Sequence, residues 1–270
     1  MGEVVAGYGQ LRANEVHLWL TFFDDPRLDA LLDGYRGLLT ADELAQARRF
    51  HFEADQRRHL VTRALLRCTL SRYAGLDPRA WRFEVNAHGR PRIAAAHGLA
   101  EPLDFNISHT KSLIVVAVNA HGGLGVDTEN VARRRNLVHL AEHYFSDPEK
   151  AALRALPLAE QHARFFEYWT LKESYIKARG MGLSIPLDQF SFDLSQDARI
   201  ALSVDPALND EAPRWAFWQW PLKQDYLLAL CALRGAGALP RVRLWDTLPS
   251  LSSQACGIPP SRCSHAGTLA

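Results

Sequence analysis

Along this chain the spacing of apolar and polar positions changes period several times, and each change marks an element. Val16 to Phe22 alternates as a half-buried strand does. Helices are expected over Ala41 to Phe50 and Ala54 to Tyr73, separated by a short break. Trp81 to Val85 is a strand candidate, the turn Gly89-Arg90-Pro91 follows, and Phe105 to Ser108 begins another strand. The β-branched run Leu113 to Val118 meets His121-Gly122-Gly123, which can turn it back into Leu124 to Thr128. The two are expected to form an antiparallel hairpin.

The second half runs in the same order. Leu137 to His143 and Asp147 to Leu156 read as helical, and a long helix from Glu160 to Arg179 stops at Gly180 and Gly182. Phe190 to Leu194, Arg199 to Val204, Trp215 to Trp220 and Tyr226 to Ala232 are expected to form an antiparallel meander. Helix followed by strands, twice, predicts an α+β protein of two halves. The expected division is an extension over 1–15, a first subdomain over 16–122, a second over 123–238, and a Pro-, Ser- and Gly-rich tail over 239–270 expected to be disordered.

Two segments carry the candidate chemistry. In Gly125-Val126-Asp127-Thr128-Glu129 the acids are two apart, so on a strand both project from one face. Two carboxylates held that close repel unless a cation or a proton intervenes. On the long helix, Tyr168, Leu171, Tyr175 and Ala178 form an apolar stripe. Glu173 and Lys177, one turn apart, fall roughly opposite Leu171 and face outward.

Composition narrows the class. An apolar share of 47% over 270 residues is ample for a core, and 31 basic against 30 acidic residues, a net charge of +1, gives no reason to expect a nucleic-acid or membrane surface. No basic stretch leads into an apolar one at the amino end, and no apolar run is long enough to span a bilayer, so a cytoplasmic location is expected. Cys68, Cys231, Cys256 and Cys263 show no metal-binding spacing and no disulfide framework. Cys68 and Cys231 are expected to be buried.

An ordered series of short motifs goes further than any one of them. Arg48-Arg49-Phe50, Ala64-Leu65-Leu66-Arg67, Gly89-Arg90-Pro91 and Phe105-Asn106-Ile107-Ser108-His109 precede the acidic segment. Tyr144-Phe145-Ser146, Trp169-Thr170-Leu171-Lys172-Glu173-Ser174 and Gly182-Leu183-Ser184-Ile185-Pro186-Leu187 follow it. From about Val16 to about Leu233 the chain resembles the 4′-phosphopantetheinyl transferase superfamily, in its long, single-chain, surfactin-type group. The resemblance implies two similar subdomains, each a helix on a mainly antiparallel sheet, related by a pseudo-two-fold with the ligand in the cleft between them. It implies transfer of the 4′-phosphopantetheine arm of coenzyme A to a serine of an apo acyl or peptidyl carrier protein, releasing adenosine 3′,5′-bisphosphate.

Attack by an alcohol on a pyrophosphate phosphorus needs charge neutralisation and a proton acceptor. Asp127 and Glu173 are the first candidates for Mg²⁺, with Glu129 as a third ligand or one acting through water. Glu173 could equally be the base, directly or through a water. Lys177 and Lys172 are candidate phosphate contacts, Lys177 favoured because it shares the face of Glu173. The resemblance brings Ser108 and His109 to a phosphate of coenzyme A, and Arg49 and Arg90 toward the adenosine 3′-phosphate and the adenine. Arg48, Arg92, Arg63 and Arg67 are weaker anion candidates, the last two equally able to pair with acids.

Three departures touch the 3′-phosphate: Glu43 and Gln46 stand where the surfactin-type enzymes carry lysines, and His59 where they carry a threonine. For the carrier, the candidates are Asn130 to Asn136, with Arg133, Arg134 and Arg135, and Leu137 to Phe145, as acidic carriers favour a basic and apolar surface. The leading expectation is a monomeric, cytoplasmic, Mg²⁺-dependent enzyme serving fatty acid, polyketide or non-ribosomal peptide synthesis. The alternatives are a catalytically silent coenzyme A-binding adaptor and a metal-dependent phosphodiesterase acting on the holo carrier.

Overall fold

The computed structural model describes residues 11–132, 138–235 and 239–264. Its strands are β1 (Glu15–Phe22), β2 (Phe83–Val85), β3 (Pro91–Ile93), β4 (Asp104–His109), β5 (Leu113–Asn119), β6 (Leu124–Asn130), β7 (Phe190–Asp193), β8 (Ala201–Val204), β9 (Trp215–Leu222), β10 (Tyr226–Leu233), β11 (Arg241–Leu248), β12 (Ser252–Cys256) and β13 (Arg262–Cys263). The helices are α1 (Leu32–Arg36), α2 (Ala41–Arg48), α3 (Glu53–Ala74), α4 (Ala141–Tyr144), α5 (Asp147–Arg154) and α6 (Leu158–Arg179). This is the α+β class that the spacing predicts.

Strand alternation sorts the core into layers. On β1, Leu18 and Leu20 join one buried cluster with Val115, Ala117, Val126, Leu228, Leu230 and Trp220. Trp19, pointing the other way, joins Leu60, Ala64 and Leu65 of α3. On β10, Leu228 and Leu230 face the first of these clusters, while Ala229 and Cys231 face Leu171 and Tyr175 of α6. The order is therefore helix, sheet, sheet, helix. The first sheet runs β12-β11-β1-β5-β4 and the second β13-β9-β10-β6; β2-β3 and β7-β8 are separate two-stranded ribbons.

Three expectations are corrected. The run Leu113 to Val118 and the acidic strand do not pair: β5 is hydrogen-bonded along both edges, to β1 and to β4, so no edge is left for β6. Gly122 and Gly123, at φ of 72° and 58°, instead take the chain across into the second sheet. The four-stranded meander is split, since of its strands β9 and β10 pair with each other in the second sheet, while β7 and β8 form a separate pair.

The third correction concerns the segment after Leu239, which is not a disordered tail over its described part. β11 lies parallel to β1, with Trp19 opposite Trp245 in register and their rings stacked at 4.6 Å. Thr21 donates to the Thr247 carbonyl at 2.7 Å and Tyr35 to that of Pro249 at 2.7 Å. β13 then crosses to the second sheet, pairing with β9. All four cysteines are free thiols. Cys231 is buried as expected, Cys68 is only partly buried, and Cys263 is buried in β13.

Candidate active site

The site begins at a glycine. β6 lies against α6 so closely that a Cβ on Gly125 would stand 2.0 Å from the Ser174 carbonyl oxygen and 2.3 Å from the Ala178 nitrogen. Only glycine permits that approach. Two residues on, on the same face, Asp127 meets Lys177: Nζ lies 2.6 Å from Oδ1. Ser108, on β4, completes the contact. Its hydroxyl donates to Asp127 Oδ1 at 2.9 Å, while its oxygen accepts the Thr128 N–H at 3.2 Å and lies 3.0 Å from Lys177 Nζ.

Asp127 is buried, and its second oxygen, Oδ2, has no hydrogen-bond partner among the described residues. An unsatisfied buried carboxylate oxygen is costly in a resting protein. Glu173 shares the surplus of negative charge: burial first, then the charge of Asp127 and more weakly that of Glu129, pushes its carboxyl up to about 7, with Lys177 opposing. Glu173 and Lys177 also line a cleft of about 300 Å³ with Gly89, Arg90, Phe105 and Asn106. Among the described residues, no three His, Cys, Asp or Glu side chains stand close enough together to hold a metal ion. The donor chemistry nonetheless suits a hard cation: carboxylate oxygens, one of them without a partner, on an acid that repels its neighbours.

Other sequence-derived candidates fall differently. Lys172 is corrected outright. It is fully buried on the far face of α6, 2.7 Å from Glu149, and donates to the Leu187 and Phe190 carbonyls at 2.7 Å each. No phosphate can reach it there. The apolar side chains that Glu173 and Lys177 oppose include the Lys172 stem, whose ammonium lies 4.2 Å from the centre of the Phe190 ring.

Arg90 lines the cleft, but as a helix cap. Its guanidinium donates to the Lys177 carbonyl at 3.0 Å and pairs with Asp104 at 2.7 Å, and the neighbouring Asn86 donates to the Gly180 carbonyl at 2.9 Å. These contacts satisfy end carbonyls of α6 and place cationic charge at the negative pole of the helix. A free anion fork at Arg90 is thus not what the structure holds. Arg49 is exposed at the end of α2, its nearest partner Gln46 at 3.4 Å, and it neither lines the cleft nor meets Asp127. Glu43 accounts for Arg63 and Arg67: it pairs with Arg67 at 2.7 Å and Arg63 at 3.7 Å, and closes a capping box with Thr40. Glu43 therefore serves as their counter-ion.

His109 ends β4. Desolvation, then the positive charge of Arg58, holds its imidazole below the ordinary histidine value. Arg58, an ion-pair partner of Asp55 at 2.7 Å, is a basic residue of this region that sequence reasoning missed. Its signal was its place in the run Arg57-Arg58-His59 on α3. Asn106 was missed as well, although the spacing Asn106-x-Ser108 sets both side chains on one face of β4. Arg133, Arg134 and Arg135 lie outside the described residues, as does Leu137. Within the other carrier candidate, Tyr144 is exposed.

Comparison with known proteins agrees with the motif series. Residues 123–231 match the family model of the 4′-phosphopantetheinyl transferase superfamily, and residues 30–121 that of the 4′-phosphopantetheinyl transferase N-terminal region. The chain is 34% identical over 232 residues to the 4′-phosphopantetheinyl transferase HetI of Nostoc sp., covering 86% of this chain and 92% of that protein. It is 29% identical over 214 residues to the 4′-phosphopantetheinyl transferase Sfp of Bacillus subtilis, covering 78% and 89%. A third relative, psf-1 of Bacillus pumilus, is 29% identical over 218 residues, covering 80% and 88%. The chain belongs to the 4′-phosphopantetheinyl transferase superfamily, in its long, Sfp-type group.

Proposed function

We propose that this chain transfers the 4′-phosphopantetheine arm of coenzyme A to a serine hydroxyl of an apo acyl or peptidyl carrier protein. The observation that carries the reading is Asp127, buried with one oxygen unpartnered, between Lys177 and a Glu173 whose carboxyl is raised to about 7. Full-length relatives that are named 4′-phosphopantetheinyl transferases support it.

Asp127 and Glu173 would hold Mg²⁺, with Glu129 acting through a water, and the ion when bound would neutralise pyrophosphate oxygens. The rest of the chemistry falls to side chains. The carrier serine oxygen forms a bond to the phosphorus, the phosphorus–oxygen bond to adenosine 3′,5′-bisphosphate breaks, and the bisphosphate leaves with the electron pair. In the alternative role, with Asp127 and Glu129 left to the cation, Glu173, whose carboxyl is raised to about 7, suits the acceptor of the serine proton, directly or through a water. The Lys177 ammonium stabilises charge that grows on the leaving oxygen. His109 can donate to a phosphate oxygen, and the exposed guanidinium of Arg49, beside the weaker candidate Arg48, offers an anion contact at the other end of the ligand.

The two sheets, each with its own helix, are what two similar subdomains around a shared cleft would give, and the ligand is assigned to that cleft. Among the described residues no helix is long and apolar enough to cross a membrane. The reading carried from the resemblance is a monomeric, cytoplasmic enzyme, with carriers of fatty acid, polyketide, non-ribosomal peptide or lysine synthesis as its candidate substrates.

The deciding experiment weighs an apo carrier protein after incubation with the chain, coenzyme A and Mg²⁺. A gain of one phosphopantetheine, lost when EDTA is added, is expected. An unchanged carrier despite coenzyme A binding would make the chain a silent adaptor, and loss of the arm from a holo carrier would make it a phosphodiesterase.

A further inference from the structure

Among the described residues the edge of β6 that faces away from β10 has no backbone partner strand, yet three of its N–H groups are satisfied. Asn106 Oδ1 accepts from Val126 N–H at 2.9 Å, Ser108 Oγ from Thr128 N–H at 3.2 Å, and Thr110 Oγ1 from Asn130 N–H at 3.1 Å. The acceptors are two residues apart on β4 and its last extension, so they share one face; the donors are two apart on β6, so they share one edge. All six residues are buried, and every rung joins residues 20 apart.

This is a ladder in which one strand's backbone has been replaced by side chains. An ordinary ladder tolerates any residue but proline on either side. Here the register depends on side-chain identity, since a slip of one residue would set Ile107, which has no acceptor, against a buried N–H. Asp127 lies between the first and second rungs, and Glu129 between the second and third.

We propose that Asn106 and Thr110 are positioning residues for the transfer reaction: with Ser108 between them, they fix the register and depth of β6 and so hold Asp127 and Glu129 against α6. The inference rests on the assignment of those two acids to the site. Asn106 also lines the cleft, whereas Thr110 does not, which makes Thr110 the cleaner probe. The end rung, at Asn130, adjoins Glu129, while Asp127 is also tied by Lys177 and Ser108.

Thr110→Val keeps the shape and removes the acceptor, and Thr110→Ser keeps the acceptor. In the ligand-free full chain, amide exchange at Asn130 is expected to be at least tenfold faster in Thr110→Val and unchanged in Thr110→Ser. In the carrier assay, the half-saturating Mg²⁺ concentration should rise at least fivefold in Thr110→Val, with kcat at saturating Mg²⁺ within twofold, and return to normal in Thr110→Ser. A purely structural role would lower the melting temperature and leave the Mg²⁺ dependence alone, which would overturn the proposal. Unchanged exchange at Asn130 would overturn the ladder itself. If Thr110→Val does not fold, Thr110→Ala carries the same readouts. A wild-type chain active without any divalent cation would sink the metal assignment instead, and the ladder would then stand or fall on Asn130 exchange and the KM for coenzyme A.

Discussion

Glu173 is the residue at which stability and activity pull apart. Its carboxyl titrates near 7 in the folded chain against 4.5 for an unperturbed glutamate. Between those values the folded state binds more protons than the unfolded one, so this contribution to stability is complete below about 4.5 and is lost as pH rises through about 7. Transfer, if Glu173 must be ionised, rises over the same upper limb. Without Mg²⁺ at pH 8, Glu173→Gln is therefore expected to stabilise the chain by about 1 kcal/mol, allowing for screening at a partly exposed group. Calorimetric melting would check this, and the same variant should have no measurable transfer. A Glu173→Gln protein that melts lower than wild type at pH 8 would show that burial and the neighbouring acids do not raise this carboxyl as described.

The joint of β6 and α6 decides the matter at the next scale. Gly125 sits where any side chain would strike helix backbone, which cannot yield as a flexible side chain can. Gly125→Ala is expected to cost at least about 1–3 kcal/mol, the usual range for overpacking, and to lower kcat far more than a comparable loss of stability elsewhere. Urea unfolding with kinetics on the folded fraction would measure both. Spacing made the chemistry of this joint legible: the two acids two apart, and Glu173 and Lys177 one turn apart opposite Leu171, are local patterns. Lys172 was misplaced because a lysine is ordinarily solvated; its buried partner Glu149 comes from α5 and its carbonyl acceptors from beyond α6, and no local period announces such a contact.

Across the whole molecule, the strands were more legible than their partners. Alternation marks a strand but not the sheet it joins, so β5 and β6 looked like a hairpin when they belong to different layers. The run Arg241 to Leu248 alternates too, but the Pro, Ser and Gly residues that follow it hid the signal. A chain cut after Arg234 would lose β11, β12 and β13, leaving Trp19 and the inner edge of β1 uncovered. It is expected to be insoluble or molten, with lost near-ultraviolet dichroism; a soluble, cooperatively melting fragment would show that the first sheet closes without it. The parallel pairing of β1 with β11 also has a consequence in time. Synthesis delivers β1 long before β11, so the first sheet keeps a bare edge until the strands and helices between them have been made. Non-local parallel pairing of this kind is slow, and a nascent chain waiting for it is a natural client for chaperones. Premature termination anywhere before β11 would then yield a product that quality control can recognise by its unpaired edge.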